Sequence, residues 1–172
     1  MSYTDKFLKD NCKLIFLSIQ NGFNSESEYR NKIILPNYDI QQLAQYFGNG
    51  IEAASRGELK KLGLNCRAGD PKNKDEDDVI IFEHRIFDFE MKLTLRKYTK
   101  TGKVKKASWW TDRNQYDDKL RNFICIEAEY IDGVFKFIDI FVSFKKLSYM
   151  DIISNTINRD LIVQNSINIW ND

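Results

Sequence analysis

Histidine is almost absent: His84 is the single one in 172 residues. It falls in an expected turn, which argues against His-dependent nucleases, a Ser-His-Asp triad and His-rich metal sites. Cysteine is scarce as well. Cys12, Cys66 and Cys125 form an odd, widely spaced set with no CxxC, so structural zinc and a disulfide framework are not expected, and the thiols read as buried in a reducing cytoplasm. No apolar run approaches the roughly 18 residues of a membrane span, and Leu14 to Leu17 is too short for a signal-peptide core. A cytoplasmic protein without a membrane partner is the expectation. Neither a Walker lysine nor a dinucleotide glycine pattern occurs, so a nucleotide cofactor has no support. Net charge is missing too, because 26 basic residues nearly cancel 25 acidic ones. Any affinity for nucleic acid must therefore come from segregation of charge along the chain.

What is present is apolar patterning sufficient for one unaided domain, residues 1–172, since 42% of the chain is hydrophobic. Residues 1–63 read as helical. Phe7, Leu8, Cys12, Ile15, Phe16 and Ile19 recur at helical spacing up to about Gly22, and residues 23–37 read as a polar connection. Asp39 is a candidate cap for a second helix that stops at Gly48, and a third helix runs from about Ile51 to Gly63, a residue suited to a left-handed cap. Residues from about 64 to 144 read as a sheet core: a weak strand at Leu64–Ala68, a strong one at Val79–Glu83 and a long one at Ile86–Tyr98. A helix is expected over Asp112–Leu120, then a hairpin whose arms, Phe123–Tyr130 and Val134–Phe144, flank Asp132-Gly133. The tail from Ser148 reads as one or two helices. The fold class expected is α/β or α+β, with a mixed central sheet, mostly an antiparallel meander, flanked by helices.

Charge is segregated inside this core. Asp70 to Asp78 holds five acids, whereas Arg96 to Lys106 holds six bases and no acid and leads into Trp109, Trp110 and Arg113. The acidic run lacks the glycine and terminal glutamate of an EF-hand loop. The basic run, on a protruding hairpin, would neutralise phosphates, which makes Lys100, Lys103, Lys105, Lys106 and Arg113 candidate DNA-binding residues. Both tryptophans are expected in the core, because large aromatics mostly bury.

With a period of two, Asp88, Glu90 and Lys92 share one face of the long strand, and Phe87, Phe89, Met91 and Leu93 share the other. Asp78 abuts the apolar run Val79-Ile80-Ile81-Phe82 and would bring its carboxylate beside Glu90, with Asp77 as the alternative. Two carboxylates with open water positions suit Mg²⁺. Lys92, expected to make no core contact, would sit against the attacking water or the phosphate.

The order of a helix carrying acids, a glycine, a weak strand, an acid-led strand and then Glu90-Met91-Lys92 resembles the PD-(D/E)xK nuclease superfamily over about Gly50 to Phe144. No proline precedes the acid, a departure from the family pattern. The resemblance implies a restriction-endonuclease-like α/β/α core and hydrolysis of phosphodiesters in double-stranded DNA. It implies Asp78 and Glu90 as Mg²⁺ ligands and Lys92 as the residue that orients or deprotonates the nucleophile. Metal would lower the pKa of water and neutralise charge at phosphorus. Such enzymes often add a glutamate from the preceding helix: helical phase favours Glu58 and spacing to Gly63 favours Glu52. Cutting both strands implies a homodimer, as in type II restriction enzymes. The rival expectation is a non-catalytic interaction protein, such as an antitoxin, immunity protein or phage-encoded binding module, whose charged stretches are partner surfaces.

Overall fold

The computed structural model describes residues 3–25, 29–63, 66–68, 79–81, 87–111, 120–143, 147–148 and 155–171. Helix α1 spans Tyr3–Asn24. Its inward residues Ile15, Phe16, Ile19 and Phe23 are buried, whereas Leu14 and Leu17 face outward. A π-helical turn, Arg30–Ile34, and a 3-10 turn, Leu35–Asn37, lead to α2, Ile40–Lys61. Asp39 caps α2 as expected: it accepts from the Gln42 amide at 2.8 Å while Gln42 accepts from the Asp39 amide at 2.9 Å.

The helix stop expected at Gly48 does not occur, and α2 is continuous. Gly50 serves packing instead. A Cβ on Gly50 would come within 3.0 Å of the Phe23 ring, so a bare backbone lets α1 and α2 approach closely. Phe47, Ile51, Ser55 and Leu59 form the buried stripe at a spacing of four. The helix ends where Gly63 takes a φ of +85°, the conformation anticipated for it.

Ten strands follow in chain order: β1 Cys66–Arg67, β2 Val79–Ile81, β3 Phe87–Leu95, β4 Ser108–Trp110, β5 Leu120–Arg121, β6 Phe123–Ile131, β7 Val134–Ser143, β8 Leu147–Ser148, β9 Thr156–Asn158 and β10 Ser166–Asn168. A short helix, α3, spans Arg159–Gln164 between the last two. The expected helical tail is thus mainly two strands around one helix in its described part. The main sheet is mixed, in the order β1-β2-β3-β6-β7-β10. Its one parallel pairing joins β3 to β6, with Lys92 opposite Cys125 and Thr94 opposite Glu127. The other pairings are antiparallel, and β4 with β9 and β5 with β8 form two-stranded outliers. The helix expected over Asp112–Leu120 and the His84-Arg85 turn lie outside the described residues, apart from Leu120 in β5.

The β6–β7 hairpin turns at Asp132 and Gly133, with φ of 50° and 80°, the left-handed pair favoured by two-residue connections. Further along, the register shifts between Glu127 and Ala128: Ala128 faces Phe137 and Glu127 faces Asp139, leaving Ile138 as a bulge. That extra residue changes which side chains point inward. Phe135 and Phe137 join Ile140 and Val142 in one core, although the successive steps between them are two, three and two positions.

The sheet's two faces carry different cores. On one, α1 and α2 cover Met91, Leu95, Ile124, Ile126 and Ala128, with an aromatic group in which Phe23 meets Phe47 at 5.1 Å and Phe135 at 4.9 Å. On the other, Trp109, Phe123, Cys125, Phe141, Leu147, Ile157 and Ile162 form a smaller core beneath β4, β9 and α3. Among the described residues, no helix is long and apolar enough to cross a membrane.

Candidate functional site

Alternation along β3 sends Met91 and Leu95 to the helical face, so Glu90 and Lys92 project to the opposite one. Glu90 is 2% exposed, and its Oε1 lies 2.9 Å from Lys92 Nζ. Lys92 thus contacts a nearly buried carboxylate, whereas no core contact was expected of it. Beneath the pair is the wholly buried Cys125 thiol, pushed well above its ordinary range by burial, with Lys92 pulling it down and Glu90 pushing it further up. Asp77 and Asp78 lie outside the described residues. The ladder does reach their neighbourhood: Val79, the residue after Asp78, pairs with Phe89, the residue before Glu90.

The same face carries two further acids that pattern reading did not single out. Glu127 on β6 is buried and accepts from Arg96 Nε at 2.8 Å, a bond that raises the guanidinium's affinity for its proton. Asp139 on β7 stands opposite Glu127 in the register. It accepts from Asn168 Nδ2 and Asn171 Nδ2 at 2.7 Å each and lies 3.3 Å from Arg159 Nη1. The signal for both was available, since each is an acid at the centre of an apolar strand, FICIEAEYI and VFKFIDIFVS. Carboxylates there need a cation or donors. Glu127 lies four positions along the ladder from the Glu90 level, about 13 Å, too far to share an ion with it. Among the described residues, no three His, Cys, Asp or Glu side chains converge as a metal site.

The structure does not bring the helical glutamates to this face. The helix that carries Glu52 and Glu58 packs on the Met91 side of β3. Glu58 takes a hydrogen bond from Lys61 at 2.9 Å and borders a groove toward Ser18, Ile19 and Tyr46 of the helical layer. The buried stripe of α2 runs through Phe47, Ile51, Ser55 and Leu59, so Glu58 lies beside it rather than on it, and Leu62 is exposed. Glu52 is half-buried on the same helix.

The basic stretch forms a hairpin. The Thr99 amide donates to the Lys103 carbonyl at 2.7 Å, the Lys105 amide to the Lys97 carbonyl at 2.8 Å, and Gly102 turns the chain with a φ of +82°. Lys97, Lys100, Lys103, Lys105 and Lys106 are all exposed. Lys106 is held by Asp160 of α3. Among the described residues, no acid pairs with Lys97, Lys100, Lys103 or Lys105. Arg113 lies outside the described residues. The two tryptophans part company: Trp109 is buried and donates to the Ile126 carbonyl at 2.8 Å, but Trp110 is 68% exposed. Adjacent strand residues point to opposite faces, so both cannot enter one core.

No family model, curated protein or solved structure matches this chain.

Proposed function

We propose that the chain is a Mg²⁺-dependent endonuclease acting on double-stranded DNA as a homodimer, with Asp78, Glu90 and Lys92 as its reactive set. The observation that carries this reading is the β2–β3 register. Val79, the residue after Asp78, stands opposite Phe89, the residue before Glu90, and Lys92 already touches the Glu90 carboxylate. Two hard oxygen donors beside an ammonium fit a divalent magnesium ion, which takes few protein ligands. When bound, that ion would supply charge neutralisation at phosphorus and a lowered pKa for water. Glu90 holds its carboxylate in a fixed position because the sheet buries it. Lys92, one-fifth exposed at its side chain, is the member of the pair that reaches solvent, where its ammonium can meet a phosphate oxygen or orient a nucleophile. Lys100, Lys103 and Lys105 supply cationic surface for the backbone.

The test is cleavage of supercoiled plasmid and linear duplex with Mg²⁺, with chelator, and with the Lys92→Ala and Asp78→Asn variants. Metal-dependent nicking by the wild type that both variants lose supports the assignment. Absence of cleavage by the wild type, or equal cleavage by the variants, overturns it.

A second reading, a non-catalytic interaction protein, is favoured by one specific observation. Each inward acid of this face already has a cation: Lys92 for Glu90, Arg96 for Glu127 and Arg159 for Asp139. In that case the pairs hold the sheet's second face together. Wild-type inertness across metals, with tight capture of a partner by the hairpin, would establish it.

A further inference from the structure

We infer that the hairpin of residues 97–106 and the Trp110 indole together bind unpaired nucleotides of DNA, so that the substrate engaged carries a single-stranded or opened segment. This rests on DNA being the partner but not on cleavage.

Two independent observations meet here. The first is the indole. Trp110 sits on β4, where its backbone pairs with Thr156, and its neighbour Trp109 is locked by a hydrogen bond to Ile126 and an edge-on contact with the Phe141 ring at 6.2 Å. With Trp109 fixed inward, the strand's alternation holds Trp110 outward. It is a large apolar side chain presented by a constrained backbone, and it is the most exposed of the large hydrophobic residues described. The second is the charge. Lys97, Lys100, Lys103 and Lys105 lack acidic partners among the described residues, and no acid occurs from Arg96 to Lys106. Exposed Tyr98 adds a second aromatic side chain on the hairpin, its hydroxyl near Glu129 at 3.2 Å.

Unpartnered lysines attract phosphates whatever their context, but an outward indole distinguishes among nucleic acids. In a closed duplex the base faces are stacked on each other, leaving an indole nothing to lie against except sugar and backbone. An unpaired base offers its face, and stacking between bases and aromatic side chains is a principal source of affinity for single strands. The seven residue-to-residue steps from Lys103 to Trp110 span at most about 25 Å, so a short run of nucleotides can touch both features.

The experiment uses the full chain without divalent metal, so that binding is read apart from catalysis. A labelled oligothymidylate and a duplex of similar length are titrated by fluorescence anisotropy at several salt concentrations, alongside quenching of intrinsic tryptophan fluorescence. The wild type is expected to prefer the single strand and to be quenched on binding. Trp110→Ala should lose about tenfold in single-strand affinity while keeping its salt slope, and Trp110→Phe should keep most of the affinity and lose the quench. Neutralising Lys103 and Lys105 to Gln should flatten the slope of log K against log salt by about 0.7 for each phosphate that is no longer neutralised. A Trp110→Ala variant with wild-type thermal stability and unchanged single-strand affinity overturns the inference, as does a preference for closed duplex. Oligonucleotide binding that survives while no cleavage is found with any metal would sink the nuclease reading and leave this one standing.

Discussion

Lys92 Nζ and Glu90 Oε1 stand 2.9 Å apart on one face of β3, and the acid of the pair is almost wholly buried while the base reaches solvent. The two residues thus depend on each other unequally. Removing the lysine takes a cation from a buried carboxylate, whereas removing the acid leaves a lysine that can turn to water. Lys92→Ala should lower stability by about 2 kcal/mol, less than the full cost for a completely buried pair because Lys92 is partly exposed. Glu90→Gln combined with Lys92→Met should recover most of that stability without recovering cleavage. Thermal denaturation and plasmid nicking on the same preparations check both statements. A Lys92→Ala protein as stable as the wild type would contradict the burial argument.

For the reactive set, Asp78→Asn and Glu90→Gln should each reduce Mg²⁺-dependent cleavage by at least 100-fold, on the order of the loss from deleting one charge-stabilising group. Asp77→Asn should have a smaller effect. Equal losses at Asp77 and Asp78, measured as single-turnover rates, would show that the register of β2 does not select between them.

Glu58→Gln is expected to be nearly silent, within about 0.5 kcal/mol in stability and twofold in activity, because its partner Lys61 is a surface lysine one helical turn away. A large loss of activity would mean that this helical carboxylate reaches the reacting centre despite lying on the other side of the sheet.

Two glycines of α2 should respond in opposite directions to alanine. Nothing lies within 4 Å of a Cβ at Gly57, so Gly57→Ala should stabilise by roughly 0.5 to 1 kcal/mol through helix propensity. At Gly50 the added methyl would come within 3.0 Å of the Phe23 ring, which also packs against Phe47 and Phe135, so Gly50→Ala should destabilise. Urea denaturation of the two variants provides the comparison.

Cys125 gives a pH dependence. Burial raises its folded pKa above the unfolded value, so the folded state keeps its proton where the unfolded chain loses it. The stabilisation is fully present below the unfolded pKa and declines as pH rises above about 8.5, with a limiting slope of about 1.4 kcal/mol per pH unit. Cys125→Ala should flatten the alkaline part of the stability profile relative to the wild type. Identical alkaline slopes in the two proteins would count against it.

Where local physics decides, the sequence was legible. The Asp132-Gly133 turn, the Asp39 cap, the Gly63 stop and the alternation of β3 all follow from dihedral preference or from a period of two. Gly48 misled because a glycine inside a continuous helix looks like a terminator in one dimension. The parallel partnership of β3 and β6 joins residues about thirty positions apart, and β9 and β10 are too short to show a period. At the site, Glu90 and Lys92 were visible as an alternating pair. The ion pairing of Glu127 and Asp139 depends on strands meeting, although their charge inside apolar runs advertised it. The two adjacent tryptophans were read from bulk apolarity, when alternation alone required one of them to face water.

The bulge at Ile138 makes β7 two reading frames joined end to end. Before it, odd-numbered residues enter the core under the helices; after it, even-numbered residues do. Its displaced carbonyl is taken up by the Asn171 side chain, close to the end of the chain. Deleting this one residue would therefore merge the two frames without turning a side chain over: in the restored ladder Phe137 would still meet Ala128 and Asp139 would still meet Glu127, so Ile140 and Val142 would keep their places under the helices. Loss of that single codon costs a bulge and its contact with Asn171, whereas loss of one inside the regular run 139–143 would exchange the inward and outward residues beyond it.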